Sequence, residues 1–176
     1  MTHFVLISAV GADRTGLVHE LTKAVLDCGG NIVESRMATL GTEFATLMLV
    51  SGNWHTLAKL ETELGSLDRQ SNLSVVFRRT ETMPTKESVL PYSVDLVALD
   101  QTGIVNSVSG FFGSRDIAIA EMATHCRPAP HTGANLFEMQ IIVNIPNTIH
   151  IARLRDEFAE FCDDLNVDAI LEPVKN

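Results

Sequence analysis

Cysteine is scarce in this chain. Cys28, Cys126 and Cys162 are the three thiols among 176 residues, too few and too scattered for a disulfide framework, and no Cys-x-x-Cys pair exists to make a zinc or redox motif. A reducing cytoplasm suits that usage. Cations are in short supply too: 13 Lys and Arg stand against 22 Asp and Glu, a formal net charge of −9 with a pI near 5.0. Broad contact with phosphate backbones needs clustered Lys and Arg to displace counterions, so direct nucleic-acid binding is not expected. Any role in gene control would then run through another protein. No apolar run approaches the roughly 20 residues of a membrane span, and Met1, Thr2 and His3 lead into a strand pattern without the basic leader and apolar core of a signal peptide. The expectation is a soluble cytoplasmic protein with no membrane partner.

Catalytic and metal patterns are missing as well. No nucleophile, base and orienter are spaced as a set, and no glycine cluster has the form of a phosphate loop or a dinucleotide fingerprint. The chain is not expected to be an enzyme. His125, Cys126 and His131 offer three ligands at most, where a closed zinc site takes four, so they are expected to form a loop surface and not a metal centre. His3, His19, His55 and His150 show no partner spacing.

What is present is a repeat. Asp13-Arg14-Thr15-Gly16-Leu17-Val18 returns 87 residues later as Asp100-Gln101-Thr102-Gly103-Ile104-Val105. Before each copy lies an alternating apolar run (Val5, Ile7, Ala9; Tyr92, Val94, Leu96), the mark of a strand with one buried face. Behind each copy apolar residues fall at helical steps: Leu17, Val18, Leu21, Ala24, Val25 and Ile104, Val105, Val108, Phe111, Phe112. The shared phrase therefore sits on a strand-to-helix turn. Two halves of about 80 residues each lie near the lower limit for autonomous folding, so each is expected to need the other.

In chain order the pattern predicts a strand over 3–10, a helix over 16–26 closed by Cys28-Gly29-Gly30-Asn31, and a hairpin of strands over 32–40 and 44–50 turning on Gly41-Thr42. Asn53 is placed to cap a second helix whose face carries Trp54, Leu57, Leu60, Leu64 and Leu67, and a strand over 73–77 closes the half. Trp54 is thereby expected in the core or at an interface. The order β-α-β-β-α-β is the split βαβ unit, a ferredoxin-like α+β fold with helices on one face of a four-stranded antiparallel sheet. Residues 81–91, polar and closed by Pro91, read as a linker between a first domain over 1–80 and a second over 92–176. The second half repeats the order over 92–99, 104–112, 118–124, 136–145, 149–165 and 169–174. Its hairpin carries six extra residues within Cys126-Arg127-Pro128-Ala129-Pro130-His131-Thr132-Gly133, read as a longer loop that prolines keep from pairing. The helix with Asp156, Glu157, Glu160, Asp163 and Asp164 presents an acidic, solvated face that could also meet a basic partner.

Two features carry possible recognition. Asp13 and Asp100 read first as helix N-caps; alternatively, the unpaired N–H groups of the first helical turn form a site for an anion such as an amino acid's carboxylate, with Arg14 assisting or simply solvated. Asn31 has an amide that donates and accepts, suiting a zwitterion, while after Gly-Gly it also suits a helix C-cap or turn. Ala118 stands at the equivalent place, so the first half is the better site.

Gly11-Ala12-Asp13-Arg14-Thr15-Gly16, Cys28-Gly29-Gly30-Asn31-Ile32, Ser35-Arg36-Met37-Ala38-Thr39-Leu40-Gly41-Thr42-Glu43-Phe44 and Ser51-Gly52-Asn53-Trp54 resemble the ACT domain, a module that senses small molecules, commonly amino acids. The likeness is strongest over 4–80, and Ile119-Ala120-Glu121 is its clearest echo in the second half. The resemblance implies two tandem ACT domains; because sheets of this kind leave an edge and a helical side open to pairing, the two are expected to pack side by side, in a homodimer. It implies a transcriptional repressor of glycine cleavage genes, acting through contact with a LysR-type regulator and relieved by a small amino-acid effector, glycine; the alternative is a regulatory subunit of an amino-acid metabolic enzyme. The ligand would be held at a domain interface by Ala12, Asp13, Arg14, Thr15, Gly16 and Leu17 from one unit and by Asn31 and Ile32 from another, with no other cofactor. Thr15 stands where family members often have proline, and Ala118 replaces the second asparagine.

Overall fold

The computed structural model describes residues 2–71, 73–81, 89–129 and 133–174, and for 67–71 the backbone alone. The chain divides into two compact units, Met1–Pro84 and Thr85–Asn176. Unit 1 runs β1 (His3–Ala12), α1 (Leu17–Asp27), β2 (Asn31–Leu40), β3 (Glu43–Gly52), α2 (Trp54–Ser71) and β4 (Leu73–Thr80), with sheet order β2-β3-β1-β4. Unit 2 repeats it as β5 (Val89–Leu99), α3 (Ile104–Gly113), β6 (Ala118–Pro128), β7 (Asn135–Pro146), α4 (Ile151–Leu165) and β8 (Asp168–Pro173), ordered β6-β7-β5-β8. Every strand pair is antiparallel. This is the ferredoxin-like α+β fold expected, present twice.

Alternation explains the layers. Val5, Ile7 and Ala9 of β1 and Phe44, Met48 and Val50 of β3 are buried against Leu17, Leu21 and Val25 of α1 and Leu57, Leu60 and Leu64 of α2. In unit 2, Val94 and Leu96 meet Ile141 and Val143 beneath Val108, Phe112, Leu154 and Phe158. Each unit thus closes a core of its own, with both helices on one face of the sheet. Even the irregularities repeat: the β2–β3 register slips between Ile32 and Glu34, and the β6–β7 register slips between Ile119 and Glu121. A bulge conserved between duplicated halves re-aims an edge strand rather than marking a defect.

Four expectations need correction. Strand β5 begins at Val89, so the last three residues of the expected 81–91 linker are paired; residues 82–88 of it lie outside the described ones. The hairpin loop of unit 2 is shorter than its prolines suggest, because Cys126, Arg127 and Pro128 pair with Phe137, Leu136 and Asn135. Strand β6 is an edge strand, where a proline costs no ladder bond on its open side. Trp54 is not a core residue: it lies in the first turn of α2, 59% exposed, with the Arg79 guanidinium 3.8 Å from its ring centroid. Asn53 does cap that helix, its Oδ1 accepting from the Thr56 N–H at 2.9 Å; the side chain of Leu67 lies outside the described ones. Finally, His125 and Cys126 are neighbours in a strand, so their side chains point to opposite faces; His131 lies outside the described residues.

Burial separates the thiols. Cys28 and Cys162 are buried and Cys126 is exposed. Burial, with Asp163 and Asp168 adding to it, pushes the Cys162 thiol up to about 11, and burial likewise raises Cys28. A chromophoric disulfide reagent at about pH 8 is therefore expected to release one equivalent from the native chain, lost in Cys126→Ser, and the remaining two only on unfolding.

Candidate ligand-binding turn

The first strand of each unit ends where its helix must start in the opposite direction, and a glycine makes the reversal. Gly16 occupies the N-cap of α1 at φ 92° and Gly103 the N-cap of α3 at φ 97°. No side chain caps either helix, which corrects the reading of Asp13 and Asp100 as N-caps: each aspartate stands too early in the turn. The Asp13 N–H instead donates to the Thr42 carbonyl at 3.0 Å, tying the turn to the β2–β3 hairpin. Its carboxylate accepts from the Thr39 hydroxyl at 3.3 Å.

Leu17 N–H reaches the Arg14 carbonyl at 3.3 Å and Glu20 N–H the Gly16 carbonyl at 3.0 Å. Among the described residues no acceptor takes the N–H groups of Val18 and His19. These are the orphan donors that every helix leaves at its start, and together with the macrodipole they favour an anion. Arg14 lies beside them. Its guanidinium forks onto Glu20, at 2.7 Å for Nη1–Oε1 and 2.5 Å for Nη2–Oε2. The Arg14 hydrogen bond holds the Glu20 carboxyl below the usual carboxylate range, and Glu20 in turn raises Arg14. The fork is therefore complete above the ordinary carboxylate pKa and is lost as pH falls through the lowered one.

Of the residues expected to bind ligand, Ala12, Asp13, Arg14, Thr15 and Gly16 are exposed around this turn, whereas Leu17 is buried in the core. Asn31 and Ile32 lie elsewhere. Asn31 pairs with Ser51, which pairs with Phe4 at the start of β1, whereas the turn follows the end of β1. Eight residues at about 3.3 Å rise put the two groups roughly 25 Å apart. Neither is Asn31 a helix cap, since Cys28 closes α1; it opens edge strand β2 with its side chain exposed, while Ile32 is half-buried against the core.

The ACT domain family matches residues 3–78. Over 172 residues, 98% of this chain and 90% of the relative, the chain is 30% identical to the glycine cleavage system transcriptional repressor of Escherichia coli (strain K12), and equally to that of Shigella flexneri. The chain belongs to this family of regulatory ACT proteins. A solved structure assigned to a glycine cleavage system transcriptional repressor superposes with a TM-score of 0.75 at 29% identity, covering 100% of this chain and 99% of the other. A protein from Galdieria sulphuraria does so with a TM-score of 0.80 at 27% identity, covering 99% and 100%.

The second ACT unit keeps the turn and changes its chemistry. Asp100 N–H donates to Asn135 O at 2.9 Å and Ser107 N–H to Gly103 O at 2.9 Å, as in unit 1. Cys126 takes the register place of Thr39 beside the aspartate, and its thiol is raised by burial and by Asp100. In place of the Arg14–Glu20 fork, Gln101 Nε2 donates to the Leu165 carbonyl at 3.2 Å. Spacing alone does not show these partners, because Glu20 turns towards Arg14 only once α1 has formed and Leu165 reaches the turn only once α4 has packed. The positive-φ glycine can be tested directly. No atom would crowd a Cβ at Gly16, so Gly16→Ala isolates backbone strain and is expected to lower stability by about 1–2 kcal/mol in denaturant unfolding.

Proposed function

We propose that the chain is an amino-acid-sensing transcriptional repressor of glycine cleavage genes that works through a LysR-type activator and does not itself bind DNA or catalyse a reaction. The observation carrying this reading is likeness along nearly the whole chain to the Escherichia coli repressor, both ACT units included. The net charge of −9 supports a protein partner over a phosphate backbone.

The turn supplies the effector site. An α-carboxylate competes with Glu20 for Arg14 and takes the free N–H groups of Val18 and His19. The Asp13 carboxylate and the Asn31 amide oxygen offer acceptors for an ammonium. The separation of Asn31 from the turn within one unit means that a single ligand can touch both only where two units meet. Binding then favours the joined arrangement in proportion to its differential affinity, and the surface shown to the activator changes with it.

Thermal melting with glycine, serine and larger amino acids tests the site. At a hundredfold excess over its Kd an effector adds about 2.7 kcal/mol, a shift of several degrees. Glycine is expected to produce that shift in the parent and not in Asn31→Ala, whose exposed side chain contributes within about 0.5 kcal/mol to the unliganded fold. Equal shifts in parent and variant would contradict the assigned pocket. Co-purification with and without glycine tests the partner: recovery of a metabolic enzyme in place of a LysR-type factor would contradict the repressor reading.

A further inference from the structure

Among the described residues, nothing covers the face of each sheet opposite its helices within its own unit, and the duplicated units use that face differently. In unit 1 the register places Leu6, Val10, Leu47, Leu49 and Val76 together. Val10, Leu47 and Val76 are 47%, 48% and 57% exposed. A depression of 530 Å³ among Leu6, Val33, Leu47 and Leu49 adjoins one of 280 Å³ by Val10 and Ala45, with Leu47 bordering both. At the corresponding places of unit 2 stand Ser93, Val97, Gln140, Ile142 and Ile170. The charges diverge as well. The unit 1 face carries Arg36 and Arg78 with Glu34 and Glu43, an even balance, and the 3.2 Å pair of Arg36 with Glu34 lies at its edge. The unit 2 face carries Asp95, Glu121, Glu138, Asp168 and Glu172 against Arg127.

We propose that the open sheet face of unit 1 is the contact between two copies of this chain, packed face to face about a two-fold axis through Leu47 and its apolar neighbours. A two-fold contact sets one patch against itself, so it must be apolar or balanced in charge. The unit 1 face is both. The unit 2 face, presenting five carboxylates and one arginine to its own image, would repel it. Exposed apolar patches of this kind mark association surfaces in soluble proteins. Four strands about 4.8 Å apart, with about eight residues each at a 3.3 Å rise, give a footprint of about 500 Å². Two copies then bury about 1,000 Å², where specific interfaces begin, which makes the dimer reversible and dependent on concentration.

Sedimentation velocity of the full chain between about 1 and 100 μM tests this. The parent is expected to pass from monomer to dimer within that range. Leu47→Glu is expected to weaken the dimer about tenfold or more, because it places two like charges across the axis. Val76→Glu, at a second exposed position of the face, is expected to do the same with unchanged circular dichroism, and guards against a folding defect in the first variant. Ile170→Glu, the counterpart on unit 2, is expected to leave the association unchanged. A parent that stays monomeric throughout, dimers of Leu47→Glu and Val76→Glu as tight as the parent's, or equal weakening by Ile170→Glu would each overturn the proposal.

Discussion

The fold of both units and the turn proposed as the effector site depend on one backbone angle used twice. Gly16 and Gly103 sit in the left-handed region at the end of the central strand of their units, a place where a side chain would strain the turn. The reversal lays the following helix back over the sheet, so that its apolar stripe completes the core. It also leaves the first helical N–H groups at the molecular surface instead of under a capping side chain. Fold and recognition therefore share one cause: the geometry that closes the core creates the anion-favouring end.

Duplication then let the two turns diverge. Around Asp13 the partners are a hydroxyl at Thr39 and a charged fork from Arg14 to Glu20. Around Asp100 they are a thiol at Cys126 and a neutral amide bonded to the end of α4. The strand opposite begins with Asn31 in one unit and Ala118 in the other. Unit 1 thus keeps an exposed ion pair beside its turn, whereas the Gln101 side chain of unit 2 is bonded to the end of α4. The ladder shows the same division: the unit 1 sheet exposes leucines where the unit 2 sheet exposes serine and glutamine.

The fold was legible because two periodicities were clean. Val5, Ile7 and Ala9 alternate, Leu17, Leu21 and Val25 step by helical turns, and the second half repeats both. Pro128 misled because a proline in a sequence does not say whether its strand will be at an edge. Trp54 fell on the correct helical stripe yet stands at the first position of α2, exposed, with the Arg79 guanidinium of β4 over its ring. Asp13 carried the composition of a cap without its position; one glycine, three residues later, took the role. Phe111 and Phe112, which fall at helical steps in the sequence, are buried in the core of unit 2. The reach from Asn31 to the turn could not be read at all, since it depends on strand order and direction.

The central claim is that unit 1, and not unit 2, holds the amino-acid effector, and that it does so with both separated groups. Amide hydrogen exchange followed by mass spectrometry, with and without glycine, reads this position by position. The account predicts slower exchange over 13–19 and 29–32 together, with 100–106 and 116–119 unchanged. Protection of the two units alike, or of neither segment in unit 1, would contradict it.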